Sequence, residues 1–431
     1  DEIEEQLGLI SVDNPLALAL SKAVANSPGR PVKYLGISDV SATKPDGTLE
    51  AYTSALQFLE GQDVYTIVPL TQDPSVHGVL DTHVTAMSEP EEKAERIGFF
   101  STAMPLYAQA ETIASGTDGN TGASFDGDAT AEFSASVDFT AAGVEAGDVL
   151  VVSALATSDD SDDPVTGTTG PLYGLTIVGV KAGDDFVLEV DASGTVSVDW
   201  NSLVDVSFTV YRSGAAISTP ALQSEQVALV GEGYANRRMF HHWPPEVTAD
   251  VDGTSQIIDG HHLAAAWAGK VGRAPAQQGF SQSSVSGFSG VRYSNGYFTK
   301  AQLNRMAGGG TMITLQESSG APLKCRHQLS TDVSTIERRE LSVTKTLDYV
   351  ARFLRAALSK PVGRFNITQS FLDSLATSLQ GLLRALVEDQ KINSGRLVSI
   401  GVNETQADKI DITVAVEVPL PANYIALTIQ V

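Results

Sequence analysis

The sequence predicts a multidomain α/β and α+β protein. An α/β core domain is interrupted by an acidic all-β, sandwich-like insertion and followed by an α+β C-terminal domain that ends on a β-strand. Three observations predict this. Helix and strand patterns alternate over the first hundred residues and resume after about residue 230. Between them the chain becomes short alternating strands separated by Gly, Asp, Ser and Thr. The last hundred residues carry two long amphipathic helices and then strands.

Taken in order, "NPLALALSKAVANS" from Asn14 has helical spacing with Pro at its entry, and "PGRP" breaks it before the strand-like "VKYLGISDV". "GTLEAYTSALQFLEG" is the next helix, with Leu49, Tyr52, Leu56 and Leu59 on one side. "VYTIVPLT" and "ERIGFFST" read as strands buried on both faces, with the helix "DPSVHGVLDTHVTAMSEP" between them. Units of this kind imply parallel strands. From residue 109 to 226 the runs "DVLVVSAL", "LTIVGVK", "DFVLEVD" and "VSFTVYR" suggest a small sandwich. Between Glu111 and Val230 stand 19 acidic residues against two basic ones, Lys181 and Arg212. That shift marks a separate module. The α/β pattern then returns with a strand in "NRRMFHHWPPEV", a helix in "IIDGHHLAAAWAGKVG", and helix, stop and strand in "FTKAQLNRMAGGGTMITLQES". The expected boundaries are 1–108 plus 227–330 for the core, 109–226 for the insertion and 331–431 for the last domain.

In that last domain, "LSVTKTLDYVARFLRAALSK" and "SFLDSLATSLQGLLRALVED" are helices with apolar stripes. Strands follow in "LVSIGVNE", "KIDITVAVEVP" and finally "NYIALTIQV". A terminal apolar strand is a template for pairing, which proteins usually blunt. Asn423, Tyr424, Ile425, Ala426, Leu427, Thr428, Ile429, Gln430 and Val431 are therefore candidates for pairing outside their own fold.

Of 431 residues, 42% are hydrophobic and 19% charged, enough to bury a sizeable core. A net charge of −24 argues against electrostatic binding to nucleic acid or to an anionic membrane. A single cysteine, Cys325, leaves no intramolecular disulfide and no multi-cysteine zinc site. The longest apolar runs fall short of a membrane-spanning helix.

Sites for chemistry are sparse. His241–His242 and His261–His262 are adjacent pairs, which diverge on a strand or helix and chelate poorly alone. "SDDSDDP" from Ser158 is acidic but lacks the spacing of a calcium loop. "AGGGTMITL" from Ala307 runs from helix to strand, the reverse of a phosphate-binding loop, and reads as a helix stop. Cys325 and His327 share a strand face without a third orienting group. No catalytic residue, cofactor or metal is expected. Basic residues do gather around the penultimate helix: Arg338, Arg339, Lys345, Arg352, Arg355, Lys360 and Arg364. They form either a solvated face or a docking face for an acidic protein.

The C-terminal run "YVARFLRAALSKPVGRFNITQSFLDSLATSLQGLLRALVEDQKI" with "VEVPLPANYIALTIQV" resembles the end of bacteriophage contractile-tail sheath proteins. "VYTIVPLTQDPSVHGVLDTHVTAMSEPEEKAERIGFFS" and "HHLAAAWAGKVG" resemble the sheath core, and "LSTDVSTIERRELSV" its linking segment. The likeness covers about 300 residues and leaves out the acidic stretch. It implies a structural protein in place of an enzyme: a virion component, assembled in the host cytoplasm, that forms hexameric rings in a helical polymer. Its implied partners are further copies of itself, a tail tube protein, a baseplate and a tail terminator. It implies strand exchange by residues 423–431, contraction driven by energy stored in the extended state, and an N-terminal arm before residue 1. With it go the expectations that Lys345, Arg352 and Arg355 face the tube and that the insertion faces outward. Two other readings stand beside it: a baseplate or terminator protein sharing the C-terminal domain, and an α/β enzyme with a β-rich binding module.

Overall fold

The computed structural model describes residues 2–37, 48–104, 112–121, 130–153, 171–191, 206–212, 220–293 and 296–423. After a short helix α1 (Glu2–Leu7), α2 (Pro15–Asn26) starts where the Asn14 side chain accepts from the Ala17 amide. The expected strand after it does not form over its described part. Residues 31–37 are irregular and largely exposed, and among the described residues no strand pairs with them to form a pleated surface. Next come α3 (Leu49–Glu60), β1 (Thr66–Ile67), α4 (Pro74–Met87) and β2 (Ile97–Ser101). Thr48 and Asp73 cap the two helices. All five residues of β2 are buried.

The turn-rich stretch holds β3 (Thr112–Thr121), β4 (Thr130–Ser134), β5 (Val149–Ser153), β6 (Pro171–Val180), β7 (Val187–Asp191) and β8 (Val206–Tyr211). These close into an antiparallel barrel in the order β3-β4-β7-β6-β5-β8, where a two-sheet sandwich was expected. An alternating inside/outside pattern serves both architectures, and closure removes the edges a small sheet would expose. Phe133, Phe139 and Phe208 pack together inside, with ring centroids 5.0–6.5 Å apart.

The helix α5 (Pro220–Tyr234) runs across the boundary expected at residue 226, and its Val227 packs with Trp243, Met306 and Ile313. Then follow β9 (Met239–Trp243), β10 (Glu246–Val251), β11 (Thr254–Asp259), α6 (Gly260–Arg273), β12 (Ser284–Val285) and β13 (Gly290–Val291). The β10–β11 hairpin turns on Asp252 and Gly253, both at positive φ (51° and 73°), which a two-residue turn of this hand requires. The helix α7 (Lys300–Gly308) has a complete capping box between Thr299 and Gln302, and β14 (Thr311–Leu315) and β15 (Leu323–Cys325) come after it.

One six-stranded sheet, ordered β1-β2-β9-β14-β15-β12, unites both flanks of the barrel. Its first four strands are parallel, as the alternating pattern predicts, and β15 and β12 are antiparallel additions. Phe99, Phe240, Met312, Trp267 and Leu341 share its main core. The chain ends its described part with α8 (Ile336–Arg339), α9 (Leu341–Leu358), α10 (Gln369–Glu388), β16 (Ser394–Val402) and β17 (Ile410–Glu417).

Candidate assembly interface

Heptad-like spacing of Leu375, Leu379, Leu383 and Leu386 gives α10 a buried stripe, which meets Val350 and Leu354 of α9. The β16–β17 hairpin lies on this pair through Leu397, Ile412, Val414 and Val416. It is a two-stranded sheet, so among the described residues each strand has one neighbour and one open edge. In such a sheet alternate backbone N–H and C=O groups point outward along each edge. Apolar side chains stand outside it as well: Val398, beside a bulge between Leu397 and Ser399, is 50% exposed.

The expected tube-facing residues make contacts within the fold. Lys345 is buried, and its ammonium donates to the Val271 and Ala274 carbonyls at the end of α6. Burial pulls its pKa down to about 8. These carbonyls hold the ammonium inside the fold, where the residue is 8% exposed. Arg355 pairs with the buried Glu95 carboxylate. Arg352 donates to the Glu95 carbonyl (2.6 Å) and stacks its guanidinium 5.4 Å from the Tyr65 ring centroid. Next to them Asp348 accepts both arms of the Arg238 guanidinium (2.9 and 3.0 Å) and the Tyr65 hydroxyl (3.0 Å). These groups fasten α9 to the core sheet. Asp348, Arg352 and Arg355 share a helix face that the sequence displays. Their partners lie more than a hundred residues away in the chain, and no local pattern signals them.

A second polar node surrounds Glu340, whose carboxylate is buried just before α9. It accepts from His327 Nε2 (2.7 Å), Gln328 Nε2 (3.1 Å) and Asn423 Nδ2 (3.0 Å). Burial pushes its pKa up, but His327, Gln328 and Arg339 together outweigh it and hold the carboxyl below its usual value. Sequence reasoning passed over Glu340 because an isolated Glu before a helix carries no spacing signal. Of the candidate strand-exchange residues, Asn423 is placed here, and Tyr424–Val431 lie outside the described residues.

The histidine pairs are packing residues. His241 and His242 project to opposite faces of β9, stacked on Phe100 (5.0 Å) and Phe99 (5.1 Å). His241 also contacts the Thr102 and Thr311 hydroxyls, at 2.8 and 3.2 Å. Burial pulls both rings down to about 3, and His77, His83 and His262 to about 4. Among the described residues no group of His, Cys, Asp and Glu is arranged to hold a metal ion. The Cys325 thiol is buried and pushed up, and His327 turns to Glu340 instead. Gly309 caps α7, and a side chain there would strike Ala228 of α5. Gly310 takes a positive φ of 89°. Packing therefore accounts for the glycine run. The "SDDSDDP" loop lies outside the described residues.

No protein-family model and no curated protein matches the chain. Solved structures of contractile-tail sheath proteins do. The contracted-state sheath of the anti-feeding prophage shares 17% identity at a TM-score of 0.38, over 45% of this chain and 56% of that one. The sheath tail protein of Listeria innocua shares 11% at 0.38, over 94% and 96%. That of Desulfitobacterium hafniense shares 13% at 0.32, over 70% and 83%. A baseplate structure of the anti-feeding prophage also matches, at 16% identity and a TM-score of 0.36, over 45% of this chain. The chain thus spans just over half the length of the two prophage proteins, 55% and 56%.

Proposed function

We propose that the chain is a structural subunit of a contractile phage tail sheath. It polymerises as stacked hexameric rings around a tail tube and contracts to drive that tube through a host envelope. The observation that carries this reading is the β16–β17 hairpin, seated on α9 and α10, whose strands each have one neighbour among the described residues. A two-stranded sheet is marginal alone and gains most from further strands. The strand-like residues 424–431 of another copy are its natural complement, by β-augmentation. Head-to-tail exchange of this kind propagates into a helical assembly. The sequence resemblance, spread over many segments in order, supports the same reading.

In this proposal the energy of contraction is stored in the extended assembly, and the connections between subunits act as hinges. The barrel stretch, residues 109–226, faces outward, where its acid keeps polymers apart. Basic docking towards an acidic tube passes from the buried Lys345 to Lys360 and Arg364. Both are exposed in the α9–α10 loop and have no ion pair among the described residues. Electron microscopy of the protein expressed with and without its tube partner tests the reading. Long striated tubes are expected, and deletion of residues 424–431 should abolish them. Single rings would instead indicate a terminator, and monomers alone would remove the sheath proposal.

A further inference from the structure

The helix α2 ends at Asn26 and α6 at Arg273, and the loop after β12 passes beside both ends. With the β14–β15 turn they bound a half-open cleft of about 940 Å³, a size typical of small-molecule sites. Its two charged lining residues, Lys270 and Arg273, are both cations, in a chain of net charge −24. Three residues apart, they share one face of α6. Lys270 donates to the Ser284 carbonyl, and burial together with the Arg273 charge pulls its pKa down. Two like charges are thus held close, and no Asp or Glu lines the cleft to offset them.

A helix end attracts cations to its free carbonyls. In α6 that role is already filled. Lys345 donates to the Val271 and Ala274 carbonyls, and the Ala274 amide donates to the Lys270 carbonyl (3.2 Å). Arg273 is exposed, and its guanidinium makes no hydrogen bond or ion pair among the described residues. The same holds for the side chains of Gln278, Ser284 and Ser289, which line the cleft with it. The facing loop is fixed in place: Asn26 accepts from the Ser286 amide (2.9 Å) and donates to its carbonyl (3.0 Å), and Gly287 takes a positive φ of 91°. Next to Gly287, Phe288 adds an aromatic wall. Behind that ring Lys22 places its ammonium 5.6 Å from the centroid, its charge offset in part by Asp250. A cleft rich in donors and without acid matches an oxyanion that carries several acceptor oxygens.

We infer that this cleft binds the phosphate group of a small organic phosphate monoester, with Arg273 and Lys270 as its charge partners and Phe288 beside the organic part. Nothing in the sheath reading requires such a site.

Titration calorimetry at fixed ionic strength, with phenyl phosphate, inorganic phosphate and glutamate as probes, tests it. Phenyl phosphate should bind saturably and more tightly than inorganic phosphate, and glutamate should not bind. Arg273→Gln should weaken phenyl phosphate by about tenfold or more. Because that side chain has no partner to lose, the thermal midpoint without ligand should stay at that of the parent. No saturable binding of either phosphate, or equal binding by Arg273→Gln, overturns the site. Equal affinity for the two phosphates overturns the organic ligand in favour of free phosphate. Glutamate binding as tightly as phenyl phosphate overturns phosphate recognition in favour of a carboxylate.

Discussion

The six-stranded sheet and the β16–β17 hairpin are built on opposite terms. Every residue of β2 and β9 is buried, and each strand has parallel neighbours on both sides. Of the hairpin's described residues none is fully buried, and each strand has one neighbour. The central strands of the core sheet have consumed their hydrogen-bonding capacity internally, even to the point of enclosing neutral histidines. Among the described residues the hairpin leaves one edge of each strand open. Stability is thus concentrated in one region and association in the other, with Asp348 and Glu95 as the bolts between them.

The comparison breaks most readily at those bolts. Asp348→Ala should cost about 3–5 kcal/mol, because it leaves the Arg238 guanidinium largely enclosed without its carboxylate. Urea unfolding would measure the loss, and a loss below 1 kcal/mol would mean that α9 is not fastened there. Leu379→Ala, at a site with no exposure, should cost about 3 kcal/mol. Its damage should be local, with faster amide exchange in β16 and β17 and little change in β2 and β9.

Acid should act on the core sheet and spare the hairpin. Buried histidines with pKa values near 3–4 bind protons only in the unfolded chain, where the value is about 6.5. Their contribution is complete above pH 6.5 and lost as pH falls from there towards 4. At pH 5 each costs about 2 kcal/mol relative to pH 8. Neither His242 ring nitrogen has a hydrogen-bond partner among the described residues. His242→Phe should therefore flatten the stability profile between pH 7 and 5, and an unchanged slope would assign the acid sensitivity elsewhere.

Much of this frame was legible where one short pattern decides the outcome. The buried runs around Phe99 and Phe240, the stripe of α10 and the stop at Gly309 belong to that class. The Asp252–Gly253 turn was equally legible and went unread. Barrel closure was not legible, since alternation records only which side faces inward. Of the candidate site, the basic helix was legible, and the expected terminal strand lies outside the described residues from 424 onward. The contacts that Lys345, Arg352 and Arg355 make within the fold were not legible, because a charge's partners depend on what the fold brings beside it. Their partners, Val271, Ala274 and Glu95, are brought near only by the tertiary fold.

The smallest stability effect gives the sharpest contrast. Val398 stands at the bulge in β16, already half exposed, so Val398→Lys removes little buried surface. The change in unfolding free energy should stay within about 0.5 kcal/mol. Charge on a sheet edge nonetheless blocks the approach of another strand. If the hairpin is the accepting surface, this variant should melt with the parent protein yet form few or no polymers in electron micrographs. Normal polymers would show that the open edge near Val398 is not used, and the division between a finished sheet and an unfinished one would lose its functional meaning.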